Sequence, residues 1–243
     1  MGMVNRLLSS ALMAFFLFAC QPEERPDCFR STGPIRTEKR NLAPFSKLIV
    51  RSDLDVSWHY SDSTYLMLRC GKHLMSGIQT QVTDGLLILD NHNRCRWVRS
   101  YRNPMEIELF SPSPELISLQ GYGRFKTEDT LTYSPLTVQY YGASEADFWV
   151  NLNELFLDFA GQNLCRINGK TVNAIIAIQK PGRMDARNLR IQNLGLFMKG
   201  ENEAWVQASD SLWGEHQSNT TVWLRGNPKT SIKETGKGRI KSW

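Results

Sequence analysis

The chain has 243 residues, 41% of them hydrophobic and 10% aromatic, with 29 Lys and Arg against 24 Asp and Glu for a formal charge of +5. That length holds one generous domain or two small ones. Its cations are interleaved with acids and form no basic arm, and its four His share no ligand spacing with its five Cys, so nucleic acid is excluded as a partner and a structural metal has no site.

The chain opens with one positive side chain, Arg6, and then twelve uncharged residues, LLSSALMAFFLF. A short basic region, a short apolar region and a small residue before a cut form the layout of a secretory signal peptide. The run is too short to cross a bilayer core of about 30 Å as a helix, which needs roughly 20 residues. Leu17-Phe18-Ala19-Cys20 resembles the bacterial lipobox, with Leu at −3, a small residue at −1 and Cys at +1. The resemblance implies that residues 1–19 are a lipoprotein signal peptide, and that Cys20 is acylated and held in membrane lipid. Gln21 follows the Cys where an inner-membrane retention signal would have Asp. The expected location is therefore the outer membrane, with the domain facing the periplasm or the surface. Glu23 and Glu24 are similar to the short acidic signals that send lipoproteins to the cell surface in the Bacteroidetes.

Residues 20–44 are polar and contain Pro22, Pro26, Pro34 and Pro44, which predicts a flexible lipidated tether. A head domain is expected over 45–243. Strands are predicted at Leu48-Ile49-Val50, at Leu54 to Trp58 and at Thr64 to Leu68. Lys72 to Ile78 fits a single helical turn. Two more strands flank the Asp84-Gly85 turn, Thr80 to Val82 and Leu86 to Leu89. The densest basic stretch follows, with Arg94, Arg96, Arg99 and Arg102 around Trp97 and Tyr101. Such a set either grips an anionic group or forms one solvated strand face. Met105 to Leu109 alternates in and out as the next strand. Of the cysteines left after Cys20, the pair Cys70–Cys95 is the favoured disulfide, because the segments around them suit paired strands.

The second half repeats. LISLQG, LTVQYYG, LFLDFAG, AIIAIQKPG and LGLFMKG end at Gly121, Gly142, Gly161, Gly182 and Gly200, and a longer interval leads to a last copy ending at Gly226. A unit near 20 residues cannot bury its apolar side alone, whereas stacked units share one core. The expected fold is therefore all-β, a parallel β-helix (β-solenoid) with coils of about 20 residues; a sandwich or barrel of hairpins is the competing arrangement.

The strand-and-turn motifs resemble those of the auto-transporter adhesin head domain family, the head GIN domain, common in Bacteroidetes lipoproteins. The matching residues are Phe45 to Val50, Ile78 to Ile88, Pro114 to Gly123, Leu224 to Pro228 and Thr235 to Ile240. The resemblance spans about residues 45–241. It implies a right-handed β-helix and names no catalytic residue.

Local catalytic fingerprints are absent from the sequence. Glu145, Asp147, Asp185, Glu201 and Glu203 fall just after glycine corners. They fit water-facing corners better than a Ca²⁺ or glycan contact. Trp149, Trp205, Trp213, Trp223, Tyr140, Tyr141 and Phe148 divide between core ladder and exposed face, and Tyr122 and Tyr141 beside the corners are the preferred exposed pair. Together these features predict a non-enzymatic, membrane-anchored binding domain without cofactor, for which a glycan or an envelope protein is the expected partner. A periplasmic scaffold and a polysaccharide-active enzyme are the alternatives.

Overall fold

The computed structural model describes residues 31–94, 105–162 and 164–243. Each coil lays one strand in each of two sheets. The first sheet runs, in spatial order, through β5 (Ile78–Thr83), β6 (Leu86–Asn91), β2 (Lys47–Val50), β8 (Leu116–Leu119) and β10 (Leu136–Tyr140). It continues through the second halves of β11 (Glu145–Phe159), β12 (Leu164–Ile178), β13 (Arg183–Met198) and β14 (Glu203–His216) to β16 (Lys229–Glu234). The second sheet runs through β1 (Ile35–Asn41), β4 (Tyr65–Gly71), β7 (Glu106–Ser111), β3 (Asp55–Tyr60) and β9 (Arg124–Thr127). The first halves of β11 to β14 follow, then β15 (Val222–Arg225) and β17 (Ile240–Ser242). From β8 and β9 onward the coils pair in parallel, with equivalent side chains 18 to 21 residues apart. At the N-terminal end β1 with β4, β4 with β7 and β5 with β6 pair antiparallel. The expected β-solenoid is the observed fold.

Strict alternation builds the core. In β11 the buried positions Ala146, Phe148, Val150 and Leu152 line the second sheet, and Leu155, Leu157 and Phe159 line the first. Stacking repeats each choice in the next coil, so Val138, Leu157, Ile176 and Leu196 form one ladder and Tyr140 stacks on Phe159 at 5.0 Å. Each buried side chain of this size contributes about 1.5–3 kcal/mol. Trp58 is wholly buried, and its indole N–H donates to the Ser111 hydroxyl at 2.9 Å.

The corners set the glycine phase. A Cβ on Gly142 would stand 2.0 Å from the Gly121 carbonyl oxygen, and one on Gly161 would stand 2.1 Å from that of Gly142. Gly226 does not continue this column. It packs on the Ala208 carbonyl at the opposite bend of the coil, while the corner passes from Gly200 to the buried Ser218 and on to Gly236. Both bends demand close approach, so glycine alone does not identify which bend a repeat ends on.

The N-terminal end differs from the tether expected over 20–44, since residues 35–41 form β1 against β4. Strand β1 is exposed on both faces, so it is held by backbone pairing and leaves no hydrophobic signal. Between β4 and β5 the chain crosses the end of the solenoid through a 3₁₀ turn, Met75–Gly77, with Leu74, Met75 and Ile78 buried over the core. Arg40 ties this cap down by donating to the carbonyls of Ile78 (2.6 Å) and Met75 (3.0 Å). The Asp-Gly hairpin is present between β5 and β6, with Asp84 and Gly85 both at positive φ.

Cys70 and Cys165 are free thiols in the core; Cys95, the other half of the favoured Cys70–Cys95 bridge, lies outside the described residues. Burial pushes the Cys70 thiol up to about 11 and that of Cys165 up to about 12. The thiolate is the reactive form. Site-resolved labelling with iodoacetamide at pH 8 is therefore expected to leave both sites unmodified in the native protein and to modify both in urea. Modification of Cys70 under native conditions would mean that the end cap opens readily.

Candidate binding surface

The two sheets present different outer faces. On the second sheet, charges of opposite sign alternate from coil to coil: Lys126, Asp147, Arg166 and Asp185 are register neighbours in one row. A parallel row holds Arg69 on Glu106 (2.7 Å), Arg124 on Asp55 (3.2 Å) and Arg183 near Glu203 (3.8 Å). Residues of both rows line a groove of about 600 Å³ that reaches from Thr37 to Arg166. A bidentate contact from Arg187 holds the Asp185 carboxyl below its ordinary value, and Arg187 and Arg183 both cover the Trp205 ring.

Glu145, Asp147, Asp185 and Glu203 thus share one face but are interleaved with cations, and Glu201 is exposed at its corner. Among the described residues no group of three or more His, Cys, Asp and Glu is placed to hold a metal ion. Tyr65, Phe110 and His59 stack ring on ring along this same face, with centroids 4.6 and 4.7 Å apart and planes within 13°. Lys39 sits over the free side of Tyr65. Those rings spend their faces on one another.

The outer face of the first sheet is apolar over four consecutive coils. Phe156, Ile175, Gly195 and Trp213 are register neighbours in one row, and Phe197 projects beside them in the next, next to Ala177. Phe156, Ile175, Phe197 and Trp213 are each 36–42% exposed. The ring atoms Cζ2, Cε2 and Nε1 of Trp213 lie 2.9, 3.0 and 3.2 Å from where a Cβ on Gly195 would stand, so the indole lies across that glycine. Gly195 has no positive φ to require it. Polar groups border the row: Thr137 and Gln139 precede it, and Glu154, Asn173, Asn193 and Ser211 run along one side. On the other side Asp158 accepts from Gln179 at 3.1 Å and Glu215 pairs with Lys233 at 3.3 Å.

Of the residues singled out from sequence, Tyr122 and Tyr141 are exposed, at 74% and 48%, on adjacent coils beside the glycine corner. Trp149 is exposed too, Trp205 and Trp223 are half-buried, and Tyr140 and Phe148 belong to the core. Arg94 is exposed; Arg96, Arg99, Arg102 and Cys20 lie outside the described residues. The row at Phe156, Ile175 and Phe197 was not singled out. Its signal is apolar residues at the outward phase of successive repeats, L-F-L, A-I-I and L-F-M, which reads as core until the register is known.

Residues 44–228 match the family model described as "putative auto-transporter adhesin, head GIN domain". The structure is similar to that of a "putative adhesin" from Bacteroides fragilis, with a TM-score of 0.77 at 21% identity over 86% of this chain and 97% of that one. It is also similar to a "putative lipid binding protein" from Parabacteroides distasonis, with a TM-score of 0.70 at 14% identity over 87% and 98% of the two chains. A "putative adhesin" from Parabacteroides merdae gives a TM-score of 0.63 at 15% identity over 88% and 98%. At these identities the likeness is one of fold. No curated protein matches the sequence.

Proposed function

The chain belongs to the auto-transporter adhesin head GIN domain family, and from that premise we propose that it is a non-enzymatic binding domain held at the bacterial envelope by lipid on Cys20. Contact is made through the flank of the solenoid. The observation that carries this reading is the row of exposed apolar side chains, Phe156, Ile175, Phe197 and Trp213, on a rigid sheet whose own core is already complete. A single soluble domain gains nothing in stability from such a row, and patches of this kind mark interaction sites. The carboxylates that stack across coils support the non-enzymatic reading, because Asp185 and Glu203 are engaged by Arg187 and Arg183. No described helix is long and apolar enough to cross a membrane, which is compatible with an anchor made of lipid.

Protease treatment of intact cells, with a Cys20→Ala control and a periplasmic marker, tests the placement. The expected result is cleavage of the domain with the marker untouched. Protection until the outer membrane is opened would defeat the surface reading and favour a periplasmic scaffold. Attachment of cells with and without the chain to immobilised glycan and protein coats tests the binding role itself.

A further inference from the structure

We infer that the outer face of the first sheet is a glycan platform, on which an uncharged chain of β-linked pyranose sugars lies along the solenoid axis with a ring face against Trp213 and its neighbours Phe197, Ile175 and Phe156. The inference rests on the binding role proposed above and supplies its ligand class.

Trp213 is built to present a face. Its indole spans Gly195 of the preceding coil, and any side chain there would lift it, since a Cβ would fall within 3.2 Å of three ring atoms. The glycine is not needed for its own backbone, which lies outside the positive-φ region. Gly214, next in the chain, does sit at φ 126, at an inner position where the neighbouring coils carry Leu196 and Ile176. Two glycines thus flank the indole, one beneath it and one in its own strand. An aromatic face carries partial negative charge and attracts the partially positive C–H groups that a pyranose presents on its flat side.

The rest of the row fits the same ligand. From Phe156 to Trp213 is three strand spacings, about 14 Å, the reach of a short oligosaccharide. The bordering Thr137, Gln139, Asn173 and Asn193 offer donors and acceptors matched to sugar hydroxyls, and the carboxylates beside Phe197 are already engaged, Asp158 by Gln179 and Glu215 by Lys233. The area argues against a protein occupant. At 36–42% exposure the four side chains present roughly 300 Å² on the scale of 150–250 Å² for an aromatic residue, well below the roughly 800 Å² per partner of a stable protein interface. The stacked rings of Tyr65, Phe110 and His59 on the opposite sheet are no substitute, because Phe110 is covered on both sides and Tyr65 lies between Phe110 and Lys39.

The test uses the full chain in detergent, with cellohexaose and N-acetylchitohexaose as probes, read by titration calorimetry and by tryptophan emission. Saturable binding of at least one probe is expected, with a shift in emission. Trp213→Ala and Gly195→Val are each expected to weaken it by about tenfold or more, and Trp149→Ala, on the other sheet, to leave it unchanged. Circular dichroism confirms folding, and Trp213→Ala carries the test if Gly195→Val does not fold. Failure of both probes to bind the unmodified chain overturns the inference, as does undiminished binding by Trp213→Ala. A dimer in light scattering that Trp213→Ala dissociates also overturns it, by making a second copy the occupant. Cell attachment that survives in Trp213→Ala while the sugars fail to bind would leave the binding role standing and remove only this site.

Discussion

Gly169→Ala is expected to remove about 4 kcal/mol or more of folding stability, a large part of the 5–15 kcal/mol a domain usually has. Two causes add. Gly169 sits at φ 114, where an L side chain costs about 1–3 kcal/mol. The new Cβ would also stand 1.9 Å from the Val150 carbonyl oxygen of the preceding coil, so the coils must separate and their ladder bonds lengthen. Gly85→Ala separates the two causes. Gly85 is also at positive φ, 73°, but nothing lies within 4 Å of its absent Cβ, so only the backbone cost of about 1–2 kcal/mol applies. Urea unfolding of both variants measures the difference. Equal losses would mean that the bend at Gly169 relaxes freely, and that tight stacking of coils is not what fixes glycine there.

Stability is expected to fall as the pH drops from 7 to 5.5, and His216 is the group responsible. It is wholly buried in the ladder between Met198 and Glu234, and the Thr220 backbone gives its ring no more than a poorly aligned hydrogen bond. Burial holds its pKa below the ordinary value; Glu234 and the Thr220 backbone oppose the shift and Arg239 adds to it. The folded imidazole therefore stays neutral where the unfolded one, near 6.5, takes up a proton. The stabilisation is complete above that value and is lost as the pH falls towards the depressed one, at up to about 1.4 kcal/mol per pH unit. Carboxylates with lowered values, Asp185 among them, matter only near pH 4 and below. His216→Leu replaces two poorly satisfied nitrogens with apolar surface, and should flatten the profile and raise stability at pH 7 by roughly 1 kcal/mol. Melting temperatures at pH 7.5 and 5.5 give the readout, and an unchanged slope in His216→Leu would assign the effect elsewhere.

The sequence carried the fold because stacking makes each coil repeat the last. Leu157, Ile176 and Leu196 occupy one phase, and the glycines at 121, 142 and 161 close each copy at the same corner. The repeat did not carry two things. Strand β1 pairs through its backbone and buries no apolar side chain, so its composition is that of a tether. Gly226 looks like a corner and sits at the opposite bend, because both bends select glycine for the same steric reason. The apolar row was hidden by its own chemistry: Phe156 and Ile175 read as core by hydrophobicity, and only the register turns them outward. Trp213 stood out by residue type, yet the flat seat on Gly195 that gives it a role is a contact between residues 18 positions apart.

The order of strands at the N-terminal end bears on how the protein is made. The first coil in sequence, β2 with β3, is not the first in space. It lies between β6–β7 on one side and β8–β9 on the other. A chain emerging from a ribosome or a secretion channel cannot grow this stack from one end by adding coils in turn. One flank of the central coil remains bare until residues up to Ser111 have appeared and the other until Thr127, so the coils up to β9 must assemble together as a seed. From β10 onward each coil finds its predecessor already in place, and elongation becomes local. Biogenesis is thus divided into a slow concerted start and a fast zipper, and a translocation pause after β9 would be productive where one after β3 would leave both edges of the central coil open to aggregation.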